Sequence, residues 1–173
     1  MKSIGEVIKE RNLQLDTVIP IHNVKGELVA YAGRWPGEPP EGTDKYKLPP
    51  NFNKLSEVFN LDRAIKEPAD KPLVIVEGFF GVIKLHQLGW RKTVALMGWF
   101  MSPTQEELIR QHAKASHIIV MLDENEAGQE AREKIAGRLS KSFSAKIHRA
   151  PSGITARYRL ANCPRIIGTG LAT

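Results

Sequence analysis

The fold of this chain is decided by residues 118–128, IIVMLDENEAG. The first five of them form an apolar run that is typical of a strand buried on both faces of a sheet. Asp123 and its acidic neighbours follow at once, and Ala127 begins a segment with helical periodicity. In open α/β sheets, ligands bind beyond the carboxyl ends of the strands. The stretch therefore predicts a strand that carries carboxylates to a ligand-binding edge.

A second apolar strand is expected to end in the same way. Residues 73–76, LVIV, are followed by Glu77 and Gly78. Oxygen ligands suit Mg²⁺ or Mn²⁺, which usually take one or two carboxylates. Glu77 and Asp123 are candidates to share such an ion, with the amide of Asn125 as a weaker, neutral ligand. The alternative is that these carboxylates cap or face helix N-termini, for which Asp123 is well placed.

Strands and helices alternate from residue 73 onward. The predicted strands are residues 73–76, 93–97, 117–122 and 144–148, and the predicted helices are residues 79–88, 102–115 and 127–139. The second helix has the strongest start signal, because Ser102 is a good N-cap and is followed by Pro103 and, three residues after the cap, Gln105. Alternation of this kind predicts an α/β fold with a mostly parallel sheet flanked by helices.

The upstream part predicts a small α+β subdomain. Two β-prone segments, residues 18–21 and 28–32, flank a turn and should pair as a hairpin. Residues 36–53 are dense in Pro and Gly and predict a long irregular connection. The apolar spacing of residues 54–65 predicts a helix. We therefore expect an N-terminal subdomain over residues 1–69, an α/β domain over 70–150 and a basic, poorly ordered tail over 151–173.

Composition and charge bound the function classes. The net charge is +6, and residues 129–173 carry nine Lys or Arg against two acids. Such a segment can bind a phosphate backbone, although a solvated helix face followed by a loose tail explains it more simply. The single cysteine, Cys163, cannot build a disulfide framework or a cysteine-based zinc site within the chain. This predicts a cytoplasmic protein, and no apolar run reaches the roughly 20 residues that span a bilayer.

The two acidic strand ends carry a resemblance to a known family. Residues 74–78, VIVEG, followed by residues 123–128, DENEAG, resemble a TOPRIM domain, and the closest branch is the bacterial-type DNA primases. The likeness extends upstream, where residues 19–34 and the KYKLP stretch at 45–49 are similar to the small subdomain that precedes TOPRIM in primases. The resemblance covers roughly residues 18–150.

The resemblance implies a function and a set of site residues. Glu77 and Asp123 would be the catalytic, metal-binding carboxylates, with Asn125 as a third ligand. The residues that would line the nucleotide or template groove are Arg34, Lys45 and Tyr46. The reaction would be RNA primer synthesis on single-stranded DNA, in which a 3′-hydroxyl attacks the α-phosphate of a nucleoside triphosphate with Mg²⁺ or Mn²⁺ bound. A replicative helicase is a further partner that the family implies.

Three positions depart from the family pattern. Asn125 replaces the second Asp of the acidic turn, Gly81 replaces an acid that follows Glu-Gly, and residues 150–155, APSGIT, contain no acid. Fewer carboxylates should weaken metal binding, because carboxylates supply the charge that compensates the ion. The chain is therefore expected to be a reduced primase core of the kind carried by a mobile element. The alternatives are a non-catalytic nucleic-acid-binding TOPRIM domain and a TOPRIM nuclease.

An apolar cluster follows the second predicted strand of the α/β domain. It consists of Trp90, Trp99, Phe100 and Met101. Packing in the core or between subdomains is the simpler expectation for all four. The alternative is that Trp99 and Phe100 stack on a nucleobase.

Overall fold

The structure is a computed structural model that describes residues 17–35, 41–42, 44–122, 126–143 and 148–149. It divides into two compact units, one formed by residues 1–22 and 27–52 and the other by residues 23–26 and 53–173. Residues 53–69 thus group with the second unit by their contacts. The predicted domain limits at residues 69 and 150 remain a prediction, and the predicted basic tail lies outside the described residues.

The first unit contains a three-stranded antiparallel sheet in the order β1-β2-β3. Its strands are β1 (Thr17–His22), β2 (Leu28–Arg34) and β3 (Tyr46–Lys47). β1 and β2 form the predicted hairpin, in which Ile19 pairs with Ala32 and Ile21 pairs with Ala30. All four of these side chains are buried. The hairpin therefore has one apolar face, as a half-buried antiparallel sheet requires.

The second unit contains a four-stranded sheet whose neighbouring strands are all parallel. Its strands are β4 (Leu73–Val76), β5 (Thr93–Ala95), β6 (Ile118–Met121) and β7 (His148–Arg149), in the order β5-β4-β6-β7. β4 and β6 are buried along their whole length, which explains their unbroken apolar sequences. The predicted parallel α/β fold is confirmed. The last predicted strand falls mostly on residues 144–147, which lie outside the described residues.

One short helix precedes these strands and three helices follow or connect them. They are α1 (Leu61–Ala64), α2 (Phe79–Gln87), α3 (Pro103–His112) and α4 (Glu126–Leu139). α2 stops just before Gly89, whose φ of 88° is the left-handed conformation that a side chain disfavours. α3 begins with the predicted capping box: Ser102 Oγ accepts the Gln105 N–H at 3.0 Å, and Gln105 Oε1 accepts the Ser102 N–H at 3.0 Å.

The prediction of a continuous helix over residues 54–65 is wrong. The segment contains a single 3-10 turn, Lys54–Ser56, and the short helix α1. Between them Phe59 pairs with Ala95 in an isolated antiparallel bridge, and Asn60 adopts a left-handed conformation with φ of 66°. Asn tolerates this conformation better than most residues, and its Nδ2 donates to Thr93 O at 2.8 Å. Contacts with β5 therefore override the helical spacing.

The core of the second unit lies between the sheet and its helices. Ile75, Val94 and Val120 project from β4, β5 and β6, and Ile109 and Ile135 project from α3 and α4. Each of these side chains is almost completely buried. Among the helices that the structure describes, none combines the length and apolar character needed to cross a bilayer.

Candidate metal and nucleic-acid site

The candidate metal site lies at the carboxyl edge of the parallel sheet. Glu77 is the first residue after β4 and is half-buried. Val76 pairs with Met121, so that β4 and the neighbouring strand β6 end at the same level. Asp123 follows Met121 by two residues. Asp123 and Asn125 lie outside the described residues, and their proposed roles as ligands remain predictions.

The helix that follows Glu77 begins at once. Gly78 is the N-cap of α2, has an extended backbone and provides no side-chain cap. The N-terminal N–H groups of a helix favour a negative charge nearby, which suits a carboxylate at residue 77. Three residues further on, a Cβ at Gly81 would lie 3.0 Å from Cγ2 of Val76. The close packing of α2 on β4 therefore leaves little room for the acid that the resemblance predicts at this position.

The loop after β5 borders the same edge. Leu96 N–H donates to Val76 O at 3.1 Å, and Gly98 N–H donates to Glu77 O at 3.2 Å. Between them Met97 has a φ of 61°, an uncommon conformation for a residue with a bulky side chain. The predicted strand 93–97 therefore ends early, at Ala95, although the backbone still bonds to β4 at residue 96.

Two aromatic side chains of this loop face solvent. Trp99 is 56% exposed and Phe100 is 47% exposed, with their rings edge to face at 6.2 Å between centroids. The expectation that they pack in the core is wrong. Met101, the next residue, is completely buried, as expected. Since the chain turns inward only at Met101, the two rings are left at the rim of the sheet edge.

Gln105 anchors this loop from beneath, a role that the sequence did not reveal. Its side chain is completely buried, and its Nε2 lies within hydrogen-bond distance of three carbonyl oxygens. They belong to Leu96 at 2.9 Å, Glu57 at 2.9 Å and Lys54 at 3.1 Å. Ser102 Oγ adds a bond to Leu55 O at 2.6 Å. The capping motif was visible in the sequence, but its partners Lys54, Leu55 and Glu57 lie 47 to 51 residues away.

The described residues supply only part of a metal site. Apart from residues 123–125, 144–147 and the other stretches left undescribed, no group of three or more Asp, Glu, His or Cys side chains comes together. The described donor set at this edge is the carboxylate of Glu77. It is the right chemistry for Mg²⁺ or Mn²⁺, but it needs further oxygen ligands to hold an ion. The expected weak binding of a metal remains a prediction.

The predicted nucleotide-groove residues lie in the first unit, at one end of its sheet. Arg34, the last residue of β2, pairs with Tyr46 in β3. Lys45 directly precedes Tyr46 and is exposed, while Arg34 and Tyr46 are half-buried. The strand register thus brings the three residues together on adjacent strands. Their proposed role in binding nucleotide or template remains a prediction.

Comparison with known proteins agrees with this architecture. Residues 74–155 match the family described as Toprim-like. The DNA primase of Synechococcus elongatus is 35% identical over 127 residues, which are 70% of this chain and 18% of that protein. The DNA primase of Clostridium acetobutylicum is 29% identical over 140 residues, 79% of this chain and 23% of that protein. The chain thus spans about a fifth of the length of these curated relatives.

Solved structures show the same fold. The zinc-binding and RNA polymerase domains of the Aquifex aeolicus primase superpose with a TM-score of 0.67 at 23% identity, covering 87% of this chain and 43% of that one. The RNA polymerase domain of Mycobacterium tuberculosis primase DnaG gives a TM-score of 0.65 at 25% identity, with 80% and 48% coverage. The chain therefore carries a TOPRIM domain of the bacterial-type DNA primase family.

Proposed function

We propose that this chain performs primase-type nucleotidyl transfer, making RNA primers on single-stranded DNA with Mg²⁺ or Mn²⁺. The observation that supports this most is the register of Val76 with Met121. It ends β4 and β6 at the same level, directly before Glu77 on one strand and two residues before Asp123 on the other. Two carboxylates from neighbouring parallel strands are a suitable pair to hold a divalent ion at a ligand-binding edge.

Each candidate residue has a distinct task in this proposal. Glu77 and Asp123 hold the ion, and Asn125 contributes a neutral oxygen. A bound ion would neutralise charge on the triphosphate. Arg34 and Lys45 donate to the phosphates of nucleotide or template, and Tyr46 offers a ring on which a base can stack.

The proposed partners follow from the same function. They are single-stranded DNA and nucleoside triphosphates, and one similar structure is that of the DnaG primase catalytic domain bound to single-stranded DNA. A replicative helicase is a further partner predicted from the resemblance. The function would be carried out in the cytoplasm, and an origin in a mobile element remains a prediction.

A non-catalytic nucleic-acid-binding domain is the second candidate. It is favoured by Asn125 and by Gly81, which stand where the resemblance to primases predicts acids. A Cβ at residue 81 would lie 3.0 Å from Cγ2 of Val76, and this close packing supports a chain without an acid at that position. A nuclease would use Glu77 and Asp123 for hydrolysis, and the experiment below distinguishes it by its products.

Primer synthesis on a single-stranded template is the direct test. The full chain is incubated with labelled ribonucleotides and Mg²⁺ or Mn²⁺, beside Glu77→Gln and Asp123→Asn. Either substitution should reduce synthesis by roughly a hundredfold or more, since each removes charge at the reacting phosphates. Glu107→Gln, which alters an exposed carboxylate on α3, serves as the matched control. Template cleavage by the wild type would indicate the nuclease.

The same samples separate the enzyme from the binder. If the wild-type chain binds the strand but neither binds metal near millimolar concentration nor makes primers, the non-catalytic proposal replaces the catalytic one. Equal synthesis by wild type and Glu77→Gln would remove Glu77 from the site.

A further inference from the structure

A groove of about 570 Å³ runs beside the exposed aromatic pair. One side is formed by Trp99 and Phe100, and the other by α4 from residue 130 to residue 138 and by Lys141 beyond it. Its floor is made of the buried side chains of Met101, Ala131 and Ile135. A cleft with an apolar floor and two exposed rings is uncommon on a surface that serves no interaction.

The charged residues of the groove differ in how firmly they are held. Arg138 Nε donates to Glu106 Oε2 at 2.6 Å, and an Arg138 Nη donates to Met101 O at 2.6 Å. These bonds fix Arg138 as part of the wall. Lys134 pairs with Glu130 at 2.6 Å, but both side chains are 70% exposed, so the pair is weak and Lys134 can exchange partners. Lys141 is exposed just beyond α4.

The groove adjoins the candidate metal edge. Gly98, which directly precedes Trp99, bonds to the carbonyl of Glu77. The backbone that leads into Trp99 therefore lies at the strand end that carries the residue proposed to hold the metal. This continuity favours a ligand of the proposed reaction over an unrelated protein partner.

We propose that Trp99 and Phe100 form a stacking platform for the bases of a single-stranded nucleic acid, whose phosphates reach Lys134 and Lys141. The inference rests on the proposed function, because it identifies a binding surface for the same strand. Every base presents a flat π-face, so stacking of this kind tolerates any sequence. The groove is lined by three cationic side chains and by two anionic ones, Glu130 and Glu133. Its net charge is therefore small, and stacking should provide most of the affinity for the strand.

Anisotropy of a labelled oligothymidylate, measured with the full chain in EDTA, tests the platform without metal. Trp99→Ala should weaken binding roughly tenfold. Trp99→Phe should retain most of the affinity, since it keeps an aromatic face. Leu88→Ala removes a 37% exposed apolar side chain outside the groove and should bind like wild type. Lys141→Gln should lower the slope of log K against log salt by about 0.7.

Several outcomes would overturn the inference. One is that the wild-type chain does not bind the strand. Another is that the wild type and Trp99→Ala bind the strand equally well. A third is that Trp99→Phe loses as much affinity as Trp99→Ala. A fourth outcome is that Trp99→Ala abolishes self-association, measured by sedimentation velocity, while its strand binding is unchanged. That result would make the groove a protein-docking surface. Glu77→Gln should bind the strand normally in EDTA yet fail to make primers, so the platform and the catalytic proposal can fail separately.

Discussion

The backbone N–H of Gly98 donates a 3.2 Å hydrogen bond to the carbonyl oxygen of Glu77. This bond joins the candidate metal ligand to the loop that carries the exposed aromatic pair. The loop is in turn fixed by the left-handed backbone of Met97 and by the buried side chain of Gln105. The geometry around Glu77 therefore depends on residues that would not touch a metal or a nucleotide.

Gln105→Met should destabilise the fold by about 2–4 kcal/mol, because the carbonyls of Leu96 and Glu57 would remain buried without their donor. Met is similar in size, so the loss reports the hydrogen bonds rather than a cavity. Urea unfolding measures the change. Gln111→Met is the control, since Gln111 is exposed and its Nε2 donates to Glu107 on the surface of α3, and it should cost less than about 0.5 kcal/mol. Equal effects at the two positions would contradict the proposed anchoring.

Met97→Gly should be more stable than Met97→Ala by about 1 kcal/mol, although glycine is normally the worse residue. Both changes remove the buried side chain, but only glycine relieves the left-handed backbone at φ of 61°. Denaturant midpoints of the two variants test this. Met121 is also buried but lies within β6, and it provides the control. Met121→Ala should be more stable than Met121→Gly. If the alanine variant is more stable than the glycine variant at Met97 as well, the backbone of Met97 is not strained.

Glu57→Gln should stabilise the chain at neutral pH. Burial raises the pKa of the Glu57 carboxyl above its usual 4.5. In the pH range just above 4.5, the folded chain binds more protons than the unfolded chain. The free energy of unfolding therefore falls as the pH rises through this range. Glutamine removes the cost of burying a charge. The variant should show a higher urea midpoint at pH 7, and the difference should disappear in acid; a difference independent of pH would refute this origin.

Asn125→Asp should tighten Mg²⁺ binding by roughly tenfold, because it returns a carboxylate to the acidic turn. Gly81→Asp restores an acid at another primase position but should mainly destabilise the fold, since its Cβ would meet Val76 at 3.0 Å. Calorimetric titration with Mg²⁺ and thermal unfolding, applied to both variants, separate the two effects. Tighter metal binding by Gly81→Asp with unchanged stability would show that α2 can move away from β4.

The parallel sheet was predictable because its signals are local and consistent. β4 and β6 are continuous apolar runs, and such runs occur where helices cover both faces of a sheet. The start of α3 was also predictable, since Ser102 and Gln105 form a capping box within four residues. The place of Glu77 at the strand end followed directly from the end of β4.

The errors arise where distant contacts decide the backbone. Residues 54–65 have helical spacing, but the bridge from Phe59 to Ala95 and the bond from Asn60 to Thr93 impose another path. Composition suggested that Trp99 and Phe100 would be buried, yet the inward turn of the chain at Met101 leaves them outside. No local pattern reports that Gln105 reaches carbonyls 48 and 51 residues upstream.

The bridge between Phe59 and Ala95 also bears on how the domain can be dissected. Phe59 N–H donates to Ala95 O at 3.0 Å and Ala95 N–H donates to Phe59 O at 3.1 Å, on the outer side of β5. An uncovered apolar edge strand is a template for pairing with another molecule. A fragment that starts at residue 70 would expose this edge and should aggregate on expression. A fragment that starts at residue 53 retains the bridge from Phe59 that covers this edge and should remain monodisperse.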